Sequence, residues 1–126
     1  MPLEKLDHVN VRTAQLDAMI DWYTKILGMQ QGDRPDFPFG GAWMYIGDAP
    51  TVHLVDVKGD PGAGSEINLK LEHFAFFATD ASAFETILKS LGEKYRRSEL
   101  PNGDLVQYNV WDPDGNHIHV DFSTGE

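Results

Sequence analysis

The sequence predicts an α+β protein made of two βαβββ modules in tandem, and three observations carry that prediction. The segment Leu71-Glu72-His73-Phe74-Ala75-Phe76 echoes Leu6-Asp7-His8-Val9-Asn10-Val11, with histidine in the same place. Each of these segments leads into a helical apolar stripe closed by a glycine. Three further strand-like runs then follow in both halves, so the order strand, helix, three strands occurs twice.

The first strand is Leu6 to Arg12. Val9 and Val11 share one face, while His8, Asn10 and Arg12 share the other, as in a half-buried strand. Thr13 offers a side-chain oxygen as a helix N-cap. The helix stripe is Leu16, Met19, Ile20, Tyr23, Ile26 and Leu27, with Gly28 at the C-cap position. Gln30 to Gly41 is a loop or weak strand, broken by Pro35, Pro38 and Gly40-Gly41. Phe37 and Phe39 within it are either loop anchors or part of a pocket wall. Ala42 to Gly47 and Thr51 to Val57 read as strands about a turn at Asp48-Ala49-Pro50; His53 and Val55 face away from Val52 and Leu54. Lys58 to Glu66, K-G-D-P-G-A-G-S-E, has the composition of a linker. A single domain, 1–126, is therefore expected, with module 1 at about 4–57, the linker at 58–66 and module 2 at about 67–122.

In the second module Asp80 can cap a helix with the stripe Phe84, Ile87, Leu88 and Leu91, and Gly92 closes it. Strands are expected at Lys94 to Glu99 and Leu105 to Trp111, on either side of the turn Pro101-Asn102-Gly103-Asp104. The last turn and strand read D-P-D-G-N-H-I-H-V-D-F from Asp112 to Phe122. Pro113 pre-sets φ for the turn and Gly115 accepts the angles it needs. His117, His119 and Asp121 then share one strand face and Ile118 and Val120 the other. Phe74, Phe76 and Phe84 read as core.

Composition narrows the function. With 20 acidic against 10 basic residues the net charge is −10, which argues against nucleic acid or an anionic membrane as partner. The absence of cysteine excludes disulfides, thiolate metal sites and cysteine nucleophiles. Neither a signal-peptide run nor a membrane-length apolar stretch stands in the sequence, so a cytoplasmic protein is expected.

Four of the five histidines fall in register. His8 and His73 are 65 residues apart and His53 and His119 are 66 apart, so both pairs align to within one residue. Each is expected mid-strand, in the first and last strands of its module. One strand histidine alone reads as a hydrogen-bonded core or rim residue; four in repeat register point to a metal site, since imidazole is the commonest neutral ligand. Such a donor set suits zinc, nickel, cobalt, iron or copper, whereas magnesium and calcium need hard oxygen ligands.

Several motifs carry a family resemblance: L-D-H-V at Leu6 to Val9, I-L-G-M at Ile26 to Met29, L-E-H-F at Leu71 to Phe74 and D-P-D-G-N-H-I-H-V at Asp112 to Val120. Through them the chain resembles the vicinal oxygen chelate superfamily of glyoxalase I, extradiol dioxygenases and the fosfomycin- and bleomycin-resistance proteins. The resemblance implies two βαβββ modules forming an incomplete barrel around a central metal. Matched residue by residue, it implies His8, His53, His73 and His119 as ligands of one divalent transition metal (Zn, Ni, Co, Fe or Mn). Many members have glutamate where His119 stands here. A metal-bound imidazole is a poor base because its lone pair is committed. Asp121, on the same face and about 6.5 Å further along the strand, is the candidate catalytic base or substitute ligand, unless it is simply a solvated carboxylate.

Candidate substrate contacts are Asn10 and Arg12 beside His8, together with Phe39, Tyr45 and His117. Arg12 offers a planar fork for a carboxylate or phosphate; Trp43 and Tyr45 join this set if their strand parity turns them inward. His117 is either a substrate or ligand-supporting contact or a surface imidazole. The leading expectation is a glyoxalase-like lyase or isomerase that chelates a small oxygenated metabolite through vicinal oxygens. An extradiol-type dioxygenase, or a non-catalytic binding protein of the antibiotic-resistance kind, is the alternative. A homodimer is expected from the resemblance.

Overall fold

The computed structural model describes residues 1–59 and 71–125. The chain divides into two compact units, Met1–Leu69 and Lys70–Glu126. In the first, β1 (Val9–Thr13), α1 (Leu16–Lys25), β2 (Gln30–Gly32), β3 (Gly41–Ile46) and β4 (Ala49–Asp56) form a four-stranded sheet of order β1-β4-β3-β2. The second repeats it with β5 (Phe74–Ala78), α2 (Ala81–Ser90), β6 (Tyr95–Glu99), β7 (Leu105–Trp111) and β8 (His117–Ser123), in the order β5-β8-β7-β6. In both, the first strand runs parallel to the last and the remaining pairs are antiparallel. The expected α+β class and the two βαβββ modules are thus present. Most of the expected linker lies outside the described residues. No described helix is long and apolar enough to cross a membrane.

Burial follows the alternation. In β8 Ile118, Val120 and Phe122 are buried, Phe122 against Phe84 of α2, while His117, His119 and Asp121 face the other way and are half-buried. In the first unit Met44, Val52 and Leu54 join Met19, Trp22 and Tyr23 as its core. Each large apolar side chain so buried contributes about 1.5–3 kcal/mol. These two cores fix which sheet face is left for polar groups.

Several boundaries differ from expectation. Strand β1 begins at Val9, and β5 at Phe74, so His8 and His73 stand just before their strands rather than within them. Thr13 does not cap α1; it is buried, and its Oγ1 accepts from the Gln15 amide (3.0 Å), closing the turn that precedes the helix. Trp22 and Met29 belong to the first core although the expected stripe omits them. Gly28, at φ +70, ends α1 as expected: its amide bonds the Thr24 carbonyl, and the Met29 amide the Tyr23 carbonyl. Asp80 does cap α2, its Oδ1 accepting from the Ala83 amide (3.1 Å), but Ile87 and Leu91 in the expected stripe are exposed. The strand after the first hairpin starts at Ala49, so Ala49 and Pro50 are ladder residues rather than turn residues.

Candidate metal centre

In the first unit an aromatic stack organises the polar face. His53 of β4 pairs in register with Trp43 of β3, and the indole lies flat on the imidazole at 3.9 Å between centroids. His8 stacks on the other side of His53, also at 3.9 Å. The Nε2–H of His53 donates to the Pro50 carbonyl (2.9 Å), which leaves Nδ1 with the lone pair. Burial, reinforced by neighbouring His8, pushes the His53 pKa down and favours the neutral ring a metal ligand requires. His8 is held differently: its Nδ1 bonds Asp7 Oδ2 at 2.7 Å, a contact that aims Nε2 away. That hydrogen bond is also the main reason the Asp7 carboxyl sits below its usual range.

The second unit repeats the pair and adds to it. His73 and His119 stack at 4.0 Å. Glu72 stands where Asp7 stands, and its Oε1 bonds His73 Nδ1 at 2.7 Å. Its other oxygen, Oε2, bonds His117 Nδ1 at 2.6 Å. Two imidazole donors, His117 first and His73 second, lower the Glu72 carboxyl to about 2. Behind His117, Nε2 meets Asn109 Oδ1 at 2.9 Å, and Trp111 stacks on the ring at 5.2 Å. Burial, with His73 and His117 nearby, pushes the His119 pKa down. One ligand nitrogen from each of His73, His117 and His119 lies within 4.8 Å of the other two. Imidazole nitrogens gathered this closely, with the Glu72 carboxylate on His73 and His117 and the Asn109 amide oxygen behind His117, fit a borderline transition metal of the zinc, nickel or cobalt kind.

The sequence model of the glyoxalase/bleomycin resistance protein/dioxygenase superfamily matches residues 5–120. The chain belongs to that superfamily. Glyoxylase I 4 of Arabidopsis thaliana is 29% identical over 123 residues, covering 94% of this chain and 70% of the relative. The lactoylglutathione lyase of Escherichia coli O157:H7 is 27% identical over 122 residues, 92% of this chain and 90% of that protein. Against Arabidopsis lactoylglutathione lyase GLX1 the chain spans only 40% of the relative's length. Among solved structures, the lactoylglutathione lyase of Agrobacterium tumefaciens superposes with TM-score 0.72 at 19% identity, over 97% of this chain and 96% of that one, which establishes the fold.

The other expected site residues fall as follows. Asn10 and Arg12 are exposed on β1, Asn10 in register with His53. Trp43 and Tyr45 do turn to the His53 face. Tyr45 is tied down there, its ring over Gly32 and its hydroxyl donating to the Asp33 carbonyl. Phe39 stacks on Phe37 at 5.0 Å, and the Arg34 guanidinium lies over both rings. Among the described residues, Asp121 Oδ1 is buried with no hydrogen-bond partner. Sequence reading missed Glu72, Asp7, Asn109 and Arg34. Only the first two left a trace, as the acidic residue before each repeated histidine. A cavity of about 700 Å³ in the second unit, lined by Thr79, Arg97 and Ser123 among others, contains no histidine in its wall.

Proposed function

We propose that the protein is a metal-dependent lyase or isomerase of the glyoxalase kind, acting on a small metabolite with oxygens on adjacent carbons. Its metal ligands in this reading are the repeated pairs His8 and His53, and His73 and His119. One observation supports it above the rest: each unit carries a stacked imidazole pair, with a carboxylate on Nδ1 of the first member. A structural histidine has no reason to recur with its orienting carboxylate. A divalent metal bound there supplies Lewis-acid polarisation of two vicinal substrate oxygens.

The protein's own groups then have distinct tasks. Asp7 and Glu72 hold the rings of His8 and His73 at Nδ1. Asp121, whose Oδ1 has no partner among the described residues, takes the proton from one substrate carbon and returns it to its neighbour. That shift leaves the overall oxidation state unchanged. The base in this reading is Asp121 because the ligand at position 119 is an imidazole, whose lone pair a bound metal would commit. Arg12 and Asn10 bind the substrate's polar end. The soluble homodimer expected of the family belongs to the same reading, and sedimentation would test it.

The experiment is conversion of a 2-oxoaldehyde–glutathione adduct to lactoylglutathione, with zinc, nickel or cobalt added to tag-free protein. Turnover that falls at least about 100-fold in Asp121→Asn, within the range for a general base, supports the reading. Metal binding without turnover on this adduct or on related hydroxy-ketones would instead leave a protein that sequesters its ligand.

A further inference from the structure

We propose that the second unit holds a metal ion by itself, through His73, His117 and His119, with Glu72 as a displaceable carboxylate. His117 is the new member of this set; the repeat predicts only the other two. The inference shares His73 and His119 with the proposed function but needs neither the lyase reaction nor the first unit's histidines.

The nitrogens are already close. Two donors on one tetrahedral zinc ion, each about 2.1 Å from it, stand about 3.4 Å apart, and small ring rotations bring a set within 4.8 Å to that spacing. His117 is also oriented from behind as ligand imidazoles are. Asn109 is buried, and its Nδ2 donates to the Arg96 carbonyl (3.0 Å), so it is Oδ1 that faces His117 Nε2. An acceptor there places the proton on Nε2 and leaves Nδ1 as the ligating atom. What Nδ1 meets is Glu72 Oε2, on a side chain 69% exposed. Of the two contacts on His117, the one to Glu72 is therefore the one that yields, and the released oxygen is itself a metal donor.

The first unit cannot do the same. Trp43 and His53 are register partners there, as Asn109 and His119 are in the second. Where the second unit has the small Asn109 and a third imidazole, the first has an indole lying on His53 and Thr51 at the place of His117. The repeat thus diverged into an aromatic-capped pair and a polar triad.

The test is titration of full-length, tag-free protein with Co²⁺, read by visible absorption, and by competition with Zn²⁺. The double variant His8→Ala/His53→Ala is expected to keep one cobalt ion, and adding His117→Ala to weaken binding at least about 100-fold, the upper range for groups that tune a site. Thermal melts followed by circular dichroism check that each variant is folded; if His117→Ala is not, His117→Asn takes its place with the same expectation. Loss of all cobalt in the double variant overturns this inference and leaves the four-histidine reading standing. Equal binding with and without His117 in that background also overturns this inference. No cobalt or zinc in the unmutated protein overturns both.

Discussion

The indole of Trp43 lies flat on the imidazole of His53, planes 9° apart, so His53 is sandwiched between Trp43 and His8. Aromatic pairs of this kind contribute about 0.5–1.5 kcal/mol beyond the area they bury. Trp43→Ala is therefore expected to lower unfolding stability by about 1–3 kcal/mol, and Trp43→Phe, which keeps a ring over His53, by less than about 1 kcal/mol. Urea denaturation of the two variants measures the difference. Equal losses would show that the stack adds nothing beyond filled volume.

Among the described residues Glu72 bonds both His73 and His117, whereas Asp7 bonds His8. Removing a group that orients a ligand imidazole typically costs 10–100-fold in metal affinity. Glu72→Gln should lower cobalt affinity by about that factor, because it frees His73 and removes a carboxylate oxygen able to bind the metal. Asp7→Asn should lower it by less, because it frees His8 alone. Isothermal titration of both variants decides between this and an equal effect.

Away from the histidines, Glu85 of α2 joins the helix to the sheet. Tyr95 donates to its Oε2 (2.8 Å) and Tyr108 to its Oε1 (3.3 Å). The Tyr95 bond holds the Glu85 carboxyl below its ordinary value, and the same bond raises the Tyr95 phenol. For Glu85, the unfolded chain binds the proton more readily, so its contribution is complete above about pH 4.5 and fades as pH falls. For Tyr95 the folded form holds the proton more tightly. Its contribution is complete below about pH 10 and fades as pH rises through the raised pKa. Melting temperature against pH should therefore lose part of both flanks in Tyr95→Phe. A curve parallel to that of the unmutated protein would refute the assignment.

The repeat was readable because strand alternation and the helical stripes are local, and the paired histidines sit at fixed offsets within them. The bond between each histidine and the acid before it was not. Adjacent residues in a strand point to opposite faces, so strand alternation sets Asp7 and Glu72 on the face away from His8 and His73. Because β1 and β5 start only after the histidines, at Val9 and Phe74, these pairs lie in non-strand backbone and can meet. The facing of Trp43 and Tyr45 was hidden for another reason. A register shift between Met44 and Tyr45 interrupts the β3–β4 ladder, and no local signal gives which face β3 turns inward. His117 was placed on the right face by alternation alone, yet its partner Asn109 is eight residues away across a hairpin whose register the sequence does not state.

The turn that delivers His117 and His119 hangs on one carboxylate. Asp112 is buried; its Oδ1 accepts from the amides of Asp114 (3.0 Å) and Asn116 (2.9 Å), and its Oδ2 from Asn116 Nδ2 (2.9 Å). Gly115, at φ +85, closes the same turn with its amide on the Asp112 carbonyl (2.9 Å). Hydrogen bonds to a charged group contribute about 1.5–3 kcal/mol, and donors left buried without a partner cost more. Asp112→Ala should therefore destabilise the protein by about 2–4 kcal/mol, and Asp112→Asn by less, since an amide oxygen still accepts. The effect should extend beyond stability. Strand β8 starts at His117, five residues past Asp112. A turn that loses its three bonds leaves the first residues of that strand free to shift against Asn109 and Trp111. Metal affinity in Asp112→Ala should then fall even at temperatures where the variant is fully folded. Unchanged affinity in a folded Asp112→Ala protein would mean that the β7–β8 ladder alone positions the two histidines.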